Sequence, residues 1–131
     1  MSNEFSDLKV LIVEDQDDAR AVLRDMLVEL GVAEVFEAGN GTEAMNFIDT
    51  AFDFINLVVC DWNMPEMSGV DFLREIRSID RSLPFLMVTG RSDVESVTAA
   101  KKHGVTAYIR KPISSKQLEA KLRVILYKMA A

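Results

Sequence analysis

Polar residues stand where four short apolar runs of this chain stop. Glu14 and Asp15 follow Val10–Val13, Asp61 follows Leu57–Cys60, Thr89 follows Phe85–Val88, and Lys111 lies just past Thr106–Ile109. A run of that length bounded by turn signals suits a strand buried on both faces, as in a parallel sheet. Open α/β sheets place their ligand crevice at the C-terminal ends of such strands. A single Asp after a strand is most often a turn cap, but polar residues past four strand ends at one edge are hard to assign to turn chemistry. Gathered there, the carboxylates repel. Two of them about 5 Å apart at an effective dielectric near 20 cost roughly 3 kcal/mol, against a domain stability of about 5–15 kcal/mol. A hard divalent cation resolves this, and Mg²⁺ favours one or two carboxylates plus waters and phosphate oxygens. Lys111 would offset the anionic charge left over. The residues themselves point to a Mg²⁺ site that handles a phosphoryl group, with Asp61 carrying the chemistry.

These residues need elements to position them. Before the first strand, Lys9–Glu14, residues 1–7 read as a polar, loose lead-in. Asp17–Leu30 sets Ala19, Val22, Leu23, Met26, Leu27 and Leu30 on one helical stripe, and Gly31 stops it. Ala33–Ala38 is a brief strand, after which Asn40 and Glu43 open a helix through Met45, Phe47 and Ile48. Ser68 caps a helix using Val70, Phe72, Leu73 and Ile76, and Pro84 precedes the fourth strand. Ser92 and Glu95 form a capping-box pattern for a helix to His103, stopped by Gly104. Thr106–Ile109 is a fifth strand. Ser114 and Gln117 repeat the capping box ahead of a helix with Leu118, Leu122, Ile125, Leu126 and Met129 on one face. Five strands alternating with five helices imply an α/β fold: a five-stranded parallel sheet, doubly wound, with right-handed crossovers.

The 131 residues are enough for one domain with a single core. The start, MSNEFSDLK, lacks the basic-then-apolar pattern of a signal peptide, and no apolar stretch approaches a membrane span. The single Cys60 excludes an internal disulfide and fits a reducing compartment, so a cytoplasmic protein without membrane insertion is expected. A net charge of −6 speaks against direct nucleic-acid binding. Residues 1–66 carry 15 Asp/Glu against 3 Lys/Arg, whereas residues 67–131 carry 6 against 12. That asymmetry suggests an acidic site in the first half and a basic docking surface in the second.

Glu14-Asp15, Asp61 within DWNMPEMSG, Thr89, Tyr108 and Lys111-Pro112 resemble the receiver domain of two-component response regulators, over roughly residues 8–128. The resemblance implies a flavodoxin-like (βα)5 fold with strand order 2-1-3-4-5 and a receiver domain over residues 8–131. It implies Asp61 as phosphoacceptor, attacking the phosphohistidine of a sensor histidine kinase or histidine phosphotransfer protein. Mg²⁺ (or Mn²⁺) would be held by Asp15 and Asp61, by the backbone carbonyl of Asn63, and by Glu14 directly or through water. Lys111 would pair with the phosphoryl oxygens, Thr89 would hydrogen-bond the phosphoryl group, and Tyr108 would turn inward behind it. That movement would alter the face made by the fourth helix, fifth strand and fifth helix. The Lys111–Pro112 bond is expected to be cis. The protein would catalyse its own phosphorylation and dephosphorylation without being a turnover enzyme.

Two positions depart from the commonest pattern: Glu14 replaces an aspartate, and Gly90 follows Thr89 where alanine or serine is frequent. Arg91 stands near the mouth of the site.

Rival readings are weaker. Gly39-Asn40-Gly41-Thr42-Glu43-Ala44 imitates a dinucleotide fingerprint, but an acidic crevice would repel pyrophosphate. A phosphatase with an aspartyl nucleophile would want a carboxylate where Asn63 stands. The alternative on the same fold is a constitutive protein-binding module that is never phosphorylated. The expectation is a stand-alone switch with no output domain after the last helix, acting on a downstream protein. Lys101, Lys102, Arg110, Lys116 and Lys121 would dock on an acidic surface of that partner.

Overall fold

The computed structural model describes residues 4–90 and 94–130, with no side-chain description at Phe52. The order is β1 (Lys9–Val13), α1 (Asp17–Glu29), β2 (Glu34–Ala38), α2 (Gly41–Ala51), β3 (Leu57–Asp61), α3 (Gly69–Ile79), β4 (Phe85–Thr89), α4 (Val94–Lys102), β5 (Ala107–Arg110) and α5 (Ser115–Ala130), with a 3-10 turn at Phe52–Phe54. All strand pairs are parallel, in the order β2-β1-β3-β4-β5. This is the doubly wound arrangement expected from the alternation of elements.

Side-chain alternation divides the sheet's residues between two cores. Leu11, Val13, Val58, Cys60, Phe85 and Met87 point to one side, where Ala44, Ile48, Phe72, Leu73, Ile76 and Ala100 of α2, α3 and α4 cover them. Val10, Ile12, Leu57, Val59, Leu86 and Val88 point to the other, covered by Leu23 and Leu27 of α1 and by Leu118, Leu122 and Ile125 of α5. The three central strands are buried on both faces, which is why they read as continuous apolar runs.

The helix ends follow their sequence signals. The Asn40 side chain accepts from the Glu43 N–H at 2.7 Å, while the Glu43 carboxylate accepts from the Gly39 N–H rather than from Asn40's own. Ser68 accepts from the Asp71 N–H, and Ser114 and Gln117 cap each other reciprocally. Gly31 and Gly104 stop their helices at φ 102° and 91°. Ser92 and Arg91 lie outside the described residues.

Three expectations are corrected. The lead-in is not loose from Phe5 on: Phe5 and Leu8 are 1% exposed and close the α1–α5 side of the core. Phe5 joins the same core as Val10 and Ile12, which a seven-residue polar average hides. Val22 is 53% exposed and Met129 42%. Both sit on the flank of a helical stripe whose centre faces the sheet.

Candidate functional site

Backbone ladders fix the strand ends. Val13 pairs in register with Cys60, so Glu14 and Asp61 come abreast at the same edge. The Glu14 N–H donates to the Ala38 carbonyl at 3.1 Å, extending β1's pairing by one residue and drawing Glu14 into full burial. The Trp62 N–H donates to the Val88 carbonyl at 3.0 Å, and Gly69 donates to the Trp62 carbonyl at 2.7 Å. A Cβ at Gly69 would collide with the Asp61 carbonyl and stand 2.8 Å from the Trp62 Cα. Only glycine lets α3 start this close behind the strand end. The Lys111 N–H donates to the Thr89 carbonyl at 2.7 Å, and the Lys111–Pro112 bond is cis.

The side chains converge accordingly. Glu14, Asp15 and Asp61 each offer a carboxylate oxygen, and these oxygens lie within 4.8 Å of one another. Lys111 Nζ is 3.0 Å from Asp61 Oδ1 and 3.4 Å from Glu14 Oε1. Glu14 Oε2 accepts from the Gln16 N–H at 3.0 Å. Burial pushes the Asp61 carboxyl above its usual range, against the opposing pull of Lys111. Burial also raises Glu14, with the Gln16 N–H opposing and the charge of Asp61 adding to it. For Lys111 burial works downward, but its bond to Asp61 and the charges of Asp61 and Glu14 outweigh it and hold the ammonium above its ordinary value. Among the described residues one ammonium therefore meets a cluster of three carboxylates, and the excess is anionic, oxygen-only and largely dry. That donor set fits a hard divalent cation.

Asn63 is exposed and lines a cleft of about 490 Å³ with Asp15, Asp61 and Lys111. Thr89 is fully buried at the end of β4. Tyr108 pairs with Met87 in β5, is half-buried, and packs against the α2–α4 side of the core.

Two features had weak sequence signals or none. Arg20 clamps the acidic loop, donating to the Glu14 carbonyl at 2.8 Å, to Asp17 at 2.6 Å and to Glu37 at 3.2 Å. Its spacing from Asp17 hinted at an ion pair within the helix, but the carbonyl contact depends on the tertiary fold. Glu66 adopts φ 70° within a tight turn closed by the Met67 N–H on the Pro65 carbonyl at 2.7 Å.

Residues 10–123 match the family described as the response regulator receiver domain. The chain is 37% identical over 121 residues to the chemotaxis protein CheY1 of Helicobacter pylori, covering 91% of this chain and 97% of that one. It is also 37% identical to the chemotaxis protein CheY of Pseudomonas aeruginosa, over 90% of this chain and 95% of the relative. The crystal structure of a response regulator receiver domain protein from Clostridium thermocellum superposes with a TM-score of 0.85 at 30% identity, covering 94% and 98% of the two chains. Among the described residues, no helix is long and apolar enough to cross a membrane.

Proposed function

The chain belongs to the response regulator receiver domain family, and on that premise we propose that Asp61 is its phosphoacceptor and that phosphorylation there is the signal. The observation that carries this reading is the buried pair Asp61 and Glu14 sharing the single ammonium of Lys111 beside Asp15.

An oxygen of Asp61 attacks the phosphorus of a partner's phosphohistidine in line. The O–P bond forms as the P–N bond breaks, and the imidazole leaves with its electron pair. Asp61 needs little activation, because such transfer depends on positioning and charge neutralisation. Lys111 pairs with the transferred phosphoryl oxygens. Asp15, Asp61 and the backbone carbonyl of Asn63 would hold Mg²⁺ or Mn²⁺. Both oxygens of Glu14 already accept bonds, which favours its contact with the metal through water. When bound, the cation neutralises phosphoryl charge that Lys111 alone cannot. Thr89 then hydrogen-bonds the phosphoryl group. Its backbone link to Lys111 ties β4 to the start of the α5 segment, and Tyr108 answers by moving inward on β5. The chain is a phosphoacceptor that promotes its own phosphorylation and dephosphorylation, not a turnover enzyme.

Receiver domains take their phosphoryl group from partner kinases and pass the signal to target proteins. A groove of about 470 Å³ between α1 and the turn after β5, lined by Ala19, Val22, Leu23, Met26, Pro112 and Ile113, opens beside Glu14 and Lys111. It supports docking of the histidine kinase or phosphotransfer protein there. The exposed Lys101, Lys102, Arg110 and Lys116 support an acidic docking surface on the target.

Intact-protein mass spectrometry after incubation with a small phosphodonor and Mg²⁺ tests the reading. One added phosphoryl group, absent from Asp61→Asn and from an EDTA control, is the expected result. An unmodified wild type that also shows no Mg²⁺ response in Trp62 fluorescence would favour the constitutive binding module.

A further inference from the structure

The end of the domain opposite the carboxylates carries a second cleft, where the C-termini of α3 and α4 meet. Its volume is about 580 Å³, and Arg74, Arg77, Ser78, Arg81, Lys102 and His103 line it with no carboxylate among them. The nearby acids answer these cations only in part. Asp71 approaches Arg74 only to 3.9 Å, both side chains being exposed. Asp80 Oδ1 accepts from the N–H and the hydroxyl of Ser82, each at 2.7 Å, and those bonds hold its carboxyl below its usual range.

Cations at helix C-termini are ordinarily explained by the helix dipole. The two helix ends supply roughly half a negative charge each, and Asp71 and Asp80 face Arg74 and Arg77, which leaves part of the charge of three arginines and a lysine unanswered. Arg77 is built in rather than free. Its Nε donates to the Gly104 carbonyl at 2.9 Å and its Nη1 to the Asp80 carbonyl at 3.1 Å. Gly104, at φ 91°, lets the guanidinium lie flat across the end of α4, since a Cβ would stand 3.1 Å from Nε. Burial pulls Arg77 below its ordinary value, with Asp80 opposing. A half-buried guanidinium fixed by two carbonyls keeps N–H donors for a further acceptor.

We propose that this cleft binds a ligand carrying adjacent phosphoryl groups, held by Arg77 and Arg81 from the α3 side and Lys102 from the α4 side. Planar guanidinium forks match phosphate oxygens in pairs. The cleft exceeds the size of a single phosphate and lies within the range of small-molecule sites, about 300–1,000 Å³. Inorganic polyphosphate and nucleoside polyphosphates share that chemistry.

The test is calorimetric titration at about 50 mM salt, where screening is weak, with EDTA present to keep metal from the acidic site. Tripolyphosphate, ATP and adenosine are the probes. Tripolyphosphate and ATP should bind once per chain and adenosine should not. Equal affinity for the two anions identifies the polyphosphate as sufficient, whereas tighter ATP binding identifies a nucleotide ligand. Arg81→Gln/Lys102→Gln, both exposed positions, should weaken binding by about tenfold or more. Lys116→Gln/Lys121→Gln, which removes equal charge from α5, should change it by less than about twofold. Absence of binding by either anion, or equal weakening by the two double variants, overturns the proposal.

Discussion

Lys111 Nζ stands 3.0 Å from Asp61 Oδ1 and 3.4 Å from Glu14 Oε1, so one ammonium from the β5 edge serves two buried carboxylates from β1 and β3. Removing it leaves those carboxylates facing each other without a cation, the situation that makes a broken buried ion pair costly, by about 3–5 kcal/mol. Lys111 is partly exposed, so water screens part of that cost. Lys111→Met should therefore lower Tm in EDTA at neutral pH by about 5–10 °C. Mg²⁺ should restore more of the loss than it adds to wild type. Phosphorylation by a small phosphodonor should slow about 10²-fold. A thermal scan with and without Mg²⁺ checks the first two statements, and an unchanged Tm in EDTA would refute the shared-cation account.

Asp61 and Glu14 titrate above their ordinary values of 3.8 and 4.5, so the folded chain binds more protons there than the unfolded one. Stability carried by these groups falls as pH rises through their folded values and returns as pH drops toward the ordinary ones. Asp80 acts oppositely: its depressed value gives stability above 3.8 that is lost as pH falls further. Metal-free protein should lose stability as pH rises from the ordinary values of Asp61 and Glu14 through their raised folded ones, with Asp80 weakening it as pH falls below 3.8. Asp61→Asn should flatten the upper part of that profile and raise the neutral Tm by about 3 °C, while abolishing the phosphoryl adduct. An Asp61→Asn profile that falls as steeply with rising pH as the wild type's would contradict the sign.

Arg20 touches no expected metal-binding side chain except through the main chain: it donates to the Glu14 carbonyl and is held by Asp17 and Glu37. Its bond to Asp17 keeps the guanidinium above its ordinary value, so it remains charged throughout. Outer contacts of this kind fix the orientation of ligating residues and change metal affinity about 10–100-fold when lost. Arg20→Gln should weaken Mg²⁺ binding by about tenfold in a fluorescence titration through Trp62, with a smaller change in melting temperature. Intact Mg²⁺ affinity would show that the clamp serves stability alone.

The sequence made the sheet legible because β1, β3 and β4 are buried on both faces and cannot hide among alternating residues. The same feature exposed Glu14, Asp15, Asp61, Thr89 and Lys111 as breaks in apolar runs, and the structure brings the three carboxylates and Lys111 into one cluster. What stayed illegible depends on contacts between distant segments. Phe5 looked like part of a polar tail because its burial comes from the core between the sheet, α1 and α5 and not from a periodic pattern around it. Arg77 drew no attention because its carbonyl partner Gly104 lies 27 residues away. The basic surface foreseen on α4, β5 and α5 omitted the α3 arginines for the same reason.

Glycines next to the site show the same limit, and they separate two positions that look alike in sequence. Gly69 and Gly90 each follow a strand-end segment, β3 and β4 respectively. At Gly69 a Cβ meets the Asp61 carbonyl and the Trp62 Cα, both main-chain atoms held by the ladder to Val88. Neither can swing away, so Gly69→Ala should cost about 2–3 kcal/mol and lower Tm by about 8–12 °C. Because the displaced atoms carry Asp61, phosphorylation should fall further than the stability loss explains, with about 10²-fold the scale for a small misplacement. At Gly90 a Cβ meets no atom of the described residues within 4 Å. Gly90→Ala should leave Tm unchanged or raise it slightly, by restricting the unfolded chain at a cost-free position, worth about 0.4–1 kcal/mol. Melting curves for the two variants, with phosphorylation rates measured below both transitions, decide the matter. Equal Tm values would mean that α3 can retreat from the strand end, and the close approach at Gly69 would then not be what positions Asp61.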